Sequence, residues 1–229
     1  MNRIVTIFVV CGLLCTVTAA VAQEDDMLGW DGVVYGGMSQ AKMSGDNQPF
    51  SGSDSRNAFT GGVGFLLRVD RQMGFEFGLR YAQKGADGNV DLTDYNVPVN
   101  GGTQRITGNG TTKLDYIELP VTIAGYLPTG KQAYLRGYLG LSLAVLTSAK
   151  FEGTLLGQPV STDIKSSLDN MDFCWLVGAS WTYEFENWSL WADARFVGGA
   201  RSVDNSSADY NTHTSTREFA LGAGIPLAR

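Results

Sequence analysis

Charge is the first thing in short supply: Asp, Glu, Lys and Arg make up 17% of the 229 residues, against about 25% in a typical soluble domain. The 17 Lys and Arg are outnumbered by 23 Asp and Glu, for a formal net charge of −6. A nucleic-acid binder needs a cationic surplus to displace counterions from phosphates, so nucleic acid is not expected as a partner. Histidine occurs once and cysteine three times. No His/Cys cluster exists for a metal, and no cofactor is expected. Cys11 and Cys15 fall in the first segment, which leaves Cys174 alone and excludes an intramolecular disulfide framework. Long apolar runs are also missing: beyond the first segment the greasiest stretch, 135–146, contains Arg136, which excludes a membrane-spanning helix. What is present in excess is glycine, 29 residues, together with 5 Trp, 9 Tyr and 11 Phe. That much aromatic surface argues against a disordered chain.

The first segment reads as a secretory leader. Arg3, an apolar run from Ile4 to Leu14 and the small-x-small site Ala20-Val21-Ala22 predict cleavage after residue 22. Val10 and Leu14 stand before the two leader cysteines, where lipoprotein processing requires Gly, Ala or Ser, so lipidation is not expected. Residues 23–229 then form one exported domain, of a size common for a single all-β barrel. Its first acids, Glu24-Asp25-Asp26, read as a solvated tail.

Downstream, the dominant signal is period-two alternation, the mark of a strand with two different faces. In 75–84, Phe75, Phe77, Leu79 and Tyr81 oppose Glu76, Gly78, Arg80, Ala82 and Lys84. The same rule holds for 117–127, 173–185, 188–196 and 218–227, less cleanly for 58–69 and 131–146, and in a glycine-broken form for 30–42. Eight strands are expected. Strands 2–3, 4–5 and 6–7 are joined by tight turns at 70–74, 128–131 and 186–187. The other connections, 43–56, 85–112, 148–170 and 199–215, are long and rich in Gly, Ser, Thr, Asn and Asp. Strict alternation of short and long joins is the pattern of an outer-membrane barrel, with periplasmic turns at one end and external loops at the other.

Face chemistry is a second test. The minority face carries small residues together with Arg68, Glu76, Arg80, Lys84, Glu118, Arg136, Glu184, Asp193, Arg195 and Glu218. Small side chains mixed with both signs of charge suit the narrow lumen of an eight-stranded barrel, with the apolar face turned to lipid. Phe75, Phe185 and Trp188 at the turn end, and Phe59, Tyr81, Phe173 and Phe196 at the loop end, match two aromatic girdles. Pairing about the turns predicts Arg68 opposite Glu76, Arg136 opposite Thr122 and Glu118 across from Gly140. Arg80 and Lys84 are expected to contact Glu118, with Asp193 and Arg195 continuing a mixed network. Eight strands leave little open bore, and isolated buried charges are costly, so a salt-bridged filling is favoured over a gated ion path.

The glycine-spaced Gly61-Gly-Val-Gly-Phe-Leu-Leu67, then Phe77-Gly-Leu-Arg-Tyr-Ala-Gln-Lys-Gly85 and Leu114-Asp-Tyr-Ile-Glu-Leu-Pro120, resemble the PorT-type outer-membrane β-barrel family, in which a Tyr-x-x-Lys-Gly strand precedes a Leu-x-Tyr-hydrophobic-Glu-hydrophobic-Pro strand. The resemblance covers essentially the whole mature chain. It implies an eight-stranded integral outer-membrane barrel with an accessory role in secretion or envelope maintenance and no catalytic residues. The chain departs from such barrels at Ile225-Pro-Leu-Ala-Arg229, where they finish on an aromatic residue.

The expected protein is therefore an all-β, eight-stranded antiparallel up-and-down transmembrane barrel of the bacterial outer membrane. It is expected to be monomeric, lipid-embedded and non-enzymatic, with a structural, surface-interaction or secretion-accessory role and a surface or secretion-machinery protein as partner. Two alternatives remain: a narrow channel for ions or small solutes, and an outer-rim lipid-modifying enzyme. The second would use His213 with Ser202, Ser206, Ser207 or Ser215 and Asp204 or Asp209. Nothing in the sequence fixes that histidine geometrically.

Overall fold

The computed structural model describes residues 29–45, 54–91, 98–99, 102–103, 107–155, 158–200 and 212–228. The leader, the acidic tail, Ser202, Asp204, Ser206, Ser207 and Asp209 lie outside the described residues. Eight long strands make up the barrel: β1 (Gly29–Gly45), β2 (Arg56–Arg68), β3 (Met73–Asp91), β4 (Thr107–Pro128), β5 (Ala133–Leu155), β6 (Met171–Glu184), β7 (Ser189–Gly199) and β8 (Thr212–Ala228). Each pairs antiparallel with its sequence neighbours, and β1 pairs with β8 to close the sheet on itself. Among the described residues no helix is long and apolar enough to cross a membrane.

The register sets the barrel's dimensions. Register partners followed once around, from Lys42 through Ser215, Gly198, Trp175, Leu141, Val121, Phe77 and Phe65, arrive at Gly32. The circuit thus returns to β1 ten residues below its start. With strands about 4.8 Å apart and a rise of about 3.3 Å per residue, that stagger means a tilt of about 40° and a radius of about 8 Å.

Burial follows the alternation with the faces inverted relative to a soluble barrel. Large apolar side chains are exposed on every wall, among them Met38, Phe59, Val63, Leu79, Leu139, Trp175, Phe219 and Leu221, the last at 71%. The charged and small residues between them are buried. At the turn end, Phe185 and Trp188 stack at 4.2 Å around the two-residue hairpin 186–187, which closes with Phe185 N–H donating to Trp188 O. The turn after β2 is held by Asp70, whose Oδ1 accepts from the backbone N–H of Gln72 at 2.6 Å and of Met73 at 2.7 Å.

The loop end differs from expectation. Much of 85–112 and 148–170 is strand: β3 runs on to Asp91, β4 starts at Thr107, and β5 reaches Leu155. A further segment, Gln158–Asp163, folds back along β5 as a ninth strand outside the barrel. These Thr-, Gly- and Asn-rich stretches show no apolar alternation because neither face meets lipid, yet the backbone ladder continues above the apolar band. The excursion from β3 into this ribbon passes Gly85 at φ 127°, where a Cβ would lie 1.9 Å from Thr112 O, so only glycine fits.

Candidate functional site

The inward positions of β3 place Glu76, Arg80 and Lys84 one above another, two pleats apart. Glu118 on β4 is the register partner of Arg80. Its Oε2 accepts from Arg80 Nε at 2.9 Å and also from Nη2, while its Oε1 meets Lys84 Nζ at 2.9 Å. Arg80 Nη1 donates to Glu218 Oε2 on β8 at 2.8 Å. Arg195 on β7 lies 3.8 Å from the same Glu218 oxygen and donates through Nε to Asp193 Oδ2 at 2.7 Å. Tyr138 on β5 donates its hydroxyl to Asp193 Oδ1 at 2.7 Å. The structure thus brings Lys84, Glu118, Arg80, Glu218, Arg195 and Asp193 into one chain across the lumen, three cations against three anions. Arg80 and Glu118 are both 0% exposed.

The remaining expected residues sit nearer the turns, and here the pairing is corrected. Arg68 faces Gly74 in the register, and Glu76 faces Leu66. Glu76 instead pairs with Arg136 at 2.8 Å. Arg136 faces Tyr126 and not Thr122, and Glu118 faces Ala144 and not Gly140. Arg68 reaches Asp31 at 3.1 Å, Glu184 at 2.5 Å and the Tyr134 hydroxyl at 2.9 Å, forming a separate, half-buried cluster at the turn end. These partners differ because the turns are centred elsewhere than the sequence reading places them: the register midpoint is residue 71 and not 72 after β2, and residue 131 and not 129 after β4. The turn after β4 closes with Thr129 and Gly130 N–H donating to Ala133 O, and its register slips by four residues.

Sequence reasoning missed the lumen's aromatics. Arg195 lies 4.8 Å over the Tyr35 ring, Arg136 4.7 Å over Tyr138, and Lys84 4.9 Å from the Tyr116 centroid. A desolvated cation gains from a ring face at that range. The available signal was phase, since Tyr138 follows Arg136 by two positions and Tyr116 precedes Glu118 by two. Room for the rings comes from glycine: a Cβ on Gly222 would meet Trp191 Cζ2 at 2.3 Å, and one on Gly178 would meet Tyr138 Cζ at 2.5 Å. Toward the loop end the lumen turns apolar, with Leu114, Leu146, Leu176, Val197 and Met43 in one buried cluster and Ile164 and Leu168 packed against it.

Above the apolar band, Lys113 ion-pairs with Glu152, and that hydrogen bond holds the Glu152 carboxyl below the usual carboxylate range. His213 is opposite Ser44 in the register, its Nδ1 buried without a hydrogen-bond partner, and Ser215 is opposite Lys42. Among the described residues no group of three His, Cys, Asp or Glu is placed to hold a metal.

The family described as outer membrane protein beta-barrel domain matches residues 21–205. Among solved structures the chain is similar to the attachment invasion locus protein Ail of Yersinia pestis, at 15% identity over 87% of this chain and 99% of that one, with a TM-score of 0.40. It is similar to Neisserial surface protein A, at 15% identity over 88% and 99% with a TM-score of 0.47. OprG from Pseudomonas aeruginosa is 13% identical over 88% and 98%, with a TM-score of 0.42. No curated protein matches the chain.

Proposed function

Because the chain belongs to the outer membrane protein beta-barrel domain family, we propose that it is a closed, non-conducting barrel of the outer membrane whose work is done by its wall and external ribbon, without catalysis. The observation supporting this reading is the chain of side chains from Lys84 to Tyr138, which joins β3, β4, β5, β7 and β8 across the bore. A water-filled path would need those ion pairs separated and their side chains displaced, because they occupy a bore that eight strands leave just wide enough for side chains to fill. In this reading the barrel acts as a monomer in outer-membrane lipid, its leader 1–22 removed on export. Its finer role is that implied by the PorT-type resemblance: assistance to envelope maintenance or secretion through a protein partner met at the outer surface.

The test is single-channel recording of the purified full chain in planar lipid bilayers. No stepwise conductance is expected. Repeated steps that disappear on Arg80→Glu would refute the closed-barrel reading and favour a narrow ion channel.

A further inference from the structure

The lipid-facing wall carries a polar patch at the β1–β8 seam. Three successive outward cross-strand pairs, Ser44 with His213, Lys42 with Ser215 and Gln40 with Arg217, sit directly above Met38 and Phe219, which are 65% and 68% exposed. Lys42 and Arg217 are exposed, and neither forms an ion pair or hydrogen bond with any described residue. The patch contains hydroxyls, an amide, an imidazole and two cations, but no carboxylate.

Its height is what makes it unusual. With a rise of about 3.3 Å per residue and a tilt of about 40°, Arg217 lies about 8 Å below Lys42 and level with Phe59 and Tyr81 of the outer girdle. A guanidinium is therefore set at the edge of the hydrocarbon on the side that faces lipid, where an unpaired charge is unfavourable. The opposite wall handles its cations differently: Lys113 of β4 is neutralised by Glu152, and Lys150 of β5 faces Asp163 in the register. Among the described residues nothing neutralises the seam's two cations.

We propose that the seam binds the phosphate-bearing headgroup of an outer-leaflet lipid. The lipid's acyl chains would lie on Met38, Phe59, Phe219 and Leu221, and its phosphate between Lys42 and Arg217. An apolar surface continuous with two cations that no described residue neutralises matches an anionic amphiphile in both charge and position. Gln40 and Ser215 supply neutral donors beside the phosphate, and the Arg217 fork suits its paired oxygens.

The experiment uses the full chain in detergent micelles, with bound lipid read by native mass spectrometry. The probes are bisphosphorylated lipid A, the same lipid with its phosphates removed, and inorganic phosphate as competitor. Wild type is expected to retain the phosphorylated lipid and not the dephosphorylated one, with millimolar phosphate failing to displace it. Lys42→Gln with Arg217→Gln is expected to weaken retention about thirtyfold, two surface cations acting together. Both side chains point away from the lumen, so heat-modifiable gel mobility should be unchanged. Removing equal charge at the opposite end, by Arg71→Gln with Lys131→Gln, should leave retention intact. Equal retention of the two lipids overturns the proposal, as does an unaffected seam variant. Displacement by inorganic phosphate alone also overturns it, marking a general anion patch. The two-lipid comparison stands on wild type without any variant.

Discussion

Glu118→Gln is the sharpest probe of the lumen. The substitution keeps the side chain's size and removes its charge, leaving the central cluster with three cations and two anions. Arg80 still has Glu218 at 2.8 Å. Among the described residues Lys84 loses the one carboxylate it ion-pairs with and is left with the Cys174 sulfur at 3.2 Å and the Tyr116 ring at 4.9 Å. Breaking a buried pair from one side costs about 3–5 kcal/mol, and the ring face offsets up to about 2 kcal/mol when desolvated. A net loss of about 3 kcal/mol is expected, roughly 150-fold in the folding equilibrium. The assay is reversible urea unfolding in lipid vesicles, with the midpoint and the slope fitted together so that a changed denatured state is not mistaken for lost stability. Adding Lys84→Met to Glu118→Gln restores neutrality and should recover at least half of the loss. A cost below about 1 kcal/mol for Glu118→Gln would refute the reasoning, because that is the value of a solvated, screened pair. It would mean that water reaches the centre of the bore.

Other expectations follow from the same geometry. Leu139, 62% exposed and near the middle of the apolar band, should tolerate Arg at a cost of about 2–4 kcal/mol in vesicle unfolding; a neutral outcome would place that wall in water. Gly222→Ala should lower the urea midpoint or abolish the folded band on gels, since its Cβ meets Trp191 at 2.3 Å and Val34 O at 2.8 Å. Gly137→Ala, with nothing within 4 Å of the added Cβ, should be neutral or gain about 0.4–1 kcal/mol through the unfolded chain. For Glu152, the folded carboxyl titrates below the unfolded one, so the Lys113 contact is present at neutral pH and is lost as pH falls through the depressed value. Carboxyl-selective NMR titration should show that depressed midpoint rising to the ordinary glutamate range in Lys113→Gln; an unchanged midpoint would remove the contact as its cause.

Which face each residue takes was legible in the sequence, and which partner it meets was not. Arg68 was expected opposite Glu76 and lies opposite Gly74, a slip of two; Glu118 was expected across from Gly140 and lies across from Ala144, a slip of four. Both slips are even, so every charge stays on its own face. Face is decided by the two-residue pleat, which hydrophobicity reports directly. Partner is decided by where each turn is centred, and that rests on backbone hydrogen bonds such as Val69 N–H to Met73 O that hydropathy does not encode. Arg80 beside Glu118 was readable because it depends on strand neighbours close in height, whereas Arg80 with Glu218 needed the whole circuit of the barrel. The external ribbon was read as loop for a related reason: it rises above the apolar band, so pairing there leaves no lipid-facing apolar period to detect.

The seam between β1 and β8 also constrains how the molecule is made. Val33 meets Gly224 across it, the most distant kind of pairing the chain contains, and non-local pairing is slow to form. Arg80 on β3 cannot reach Glu218 on β8, 138 positions away, until that seam has closed. An intermediate of seven assembled strands would therefore carry a half-compensated guanidinium on its open concave side. The last strand supplies hydrogen bonds to an unpaired edge and at the same moment the missing counter-charge. Closure is thereby made all-or-none, and a barrel halted before it should be a short-lived, protease-sensitive species.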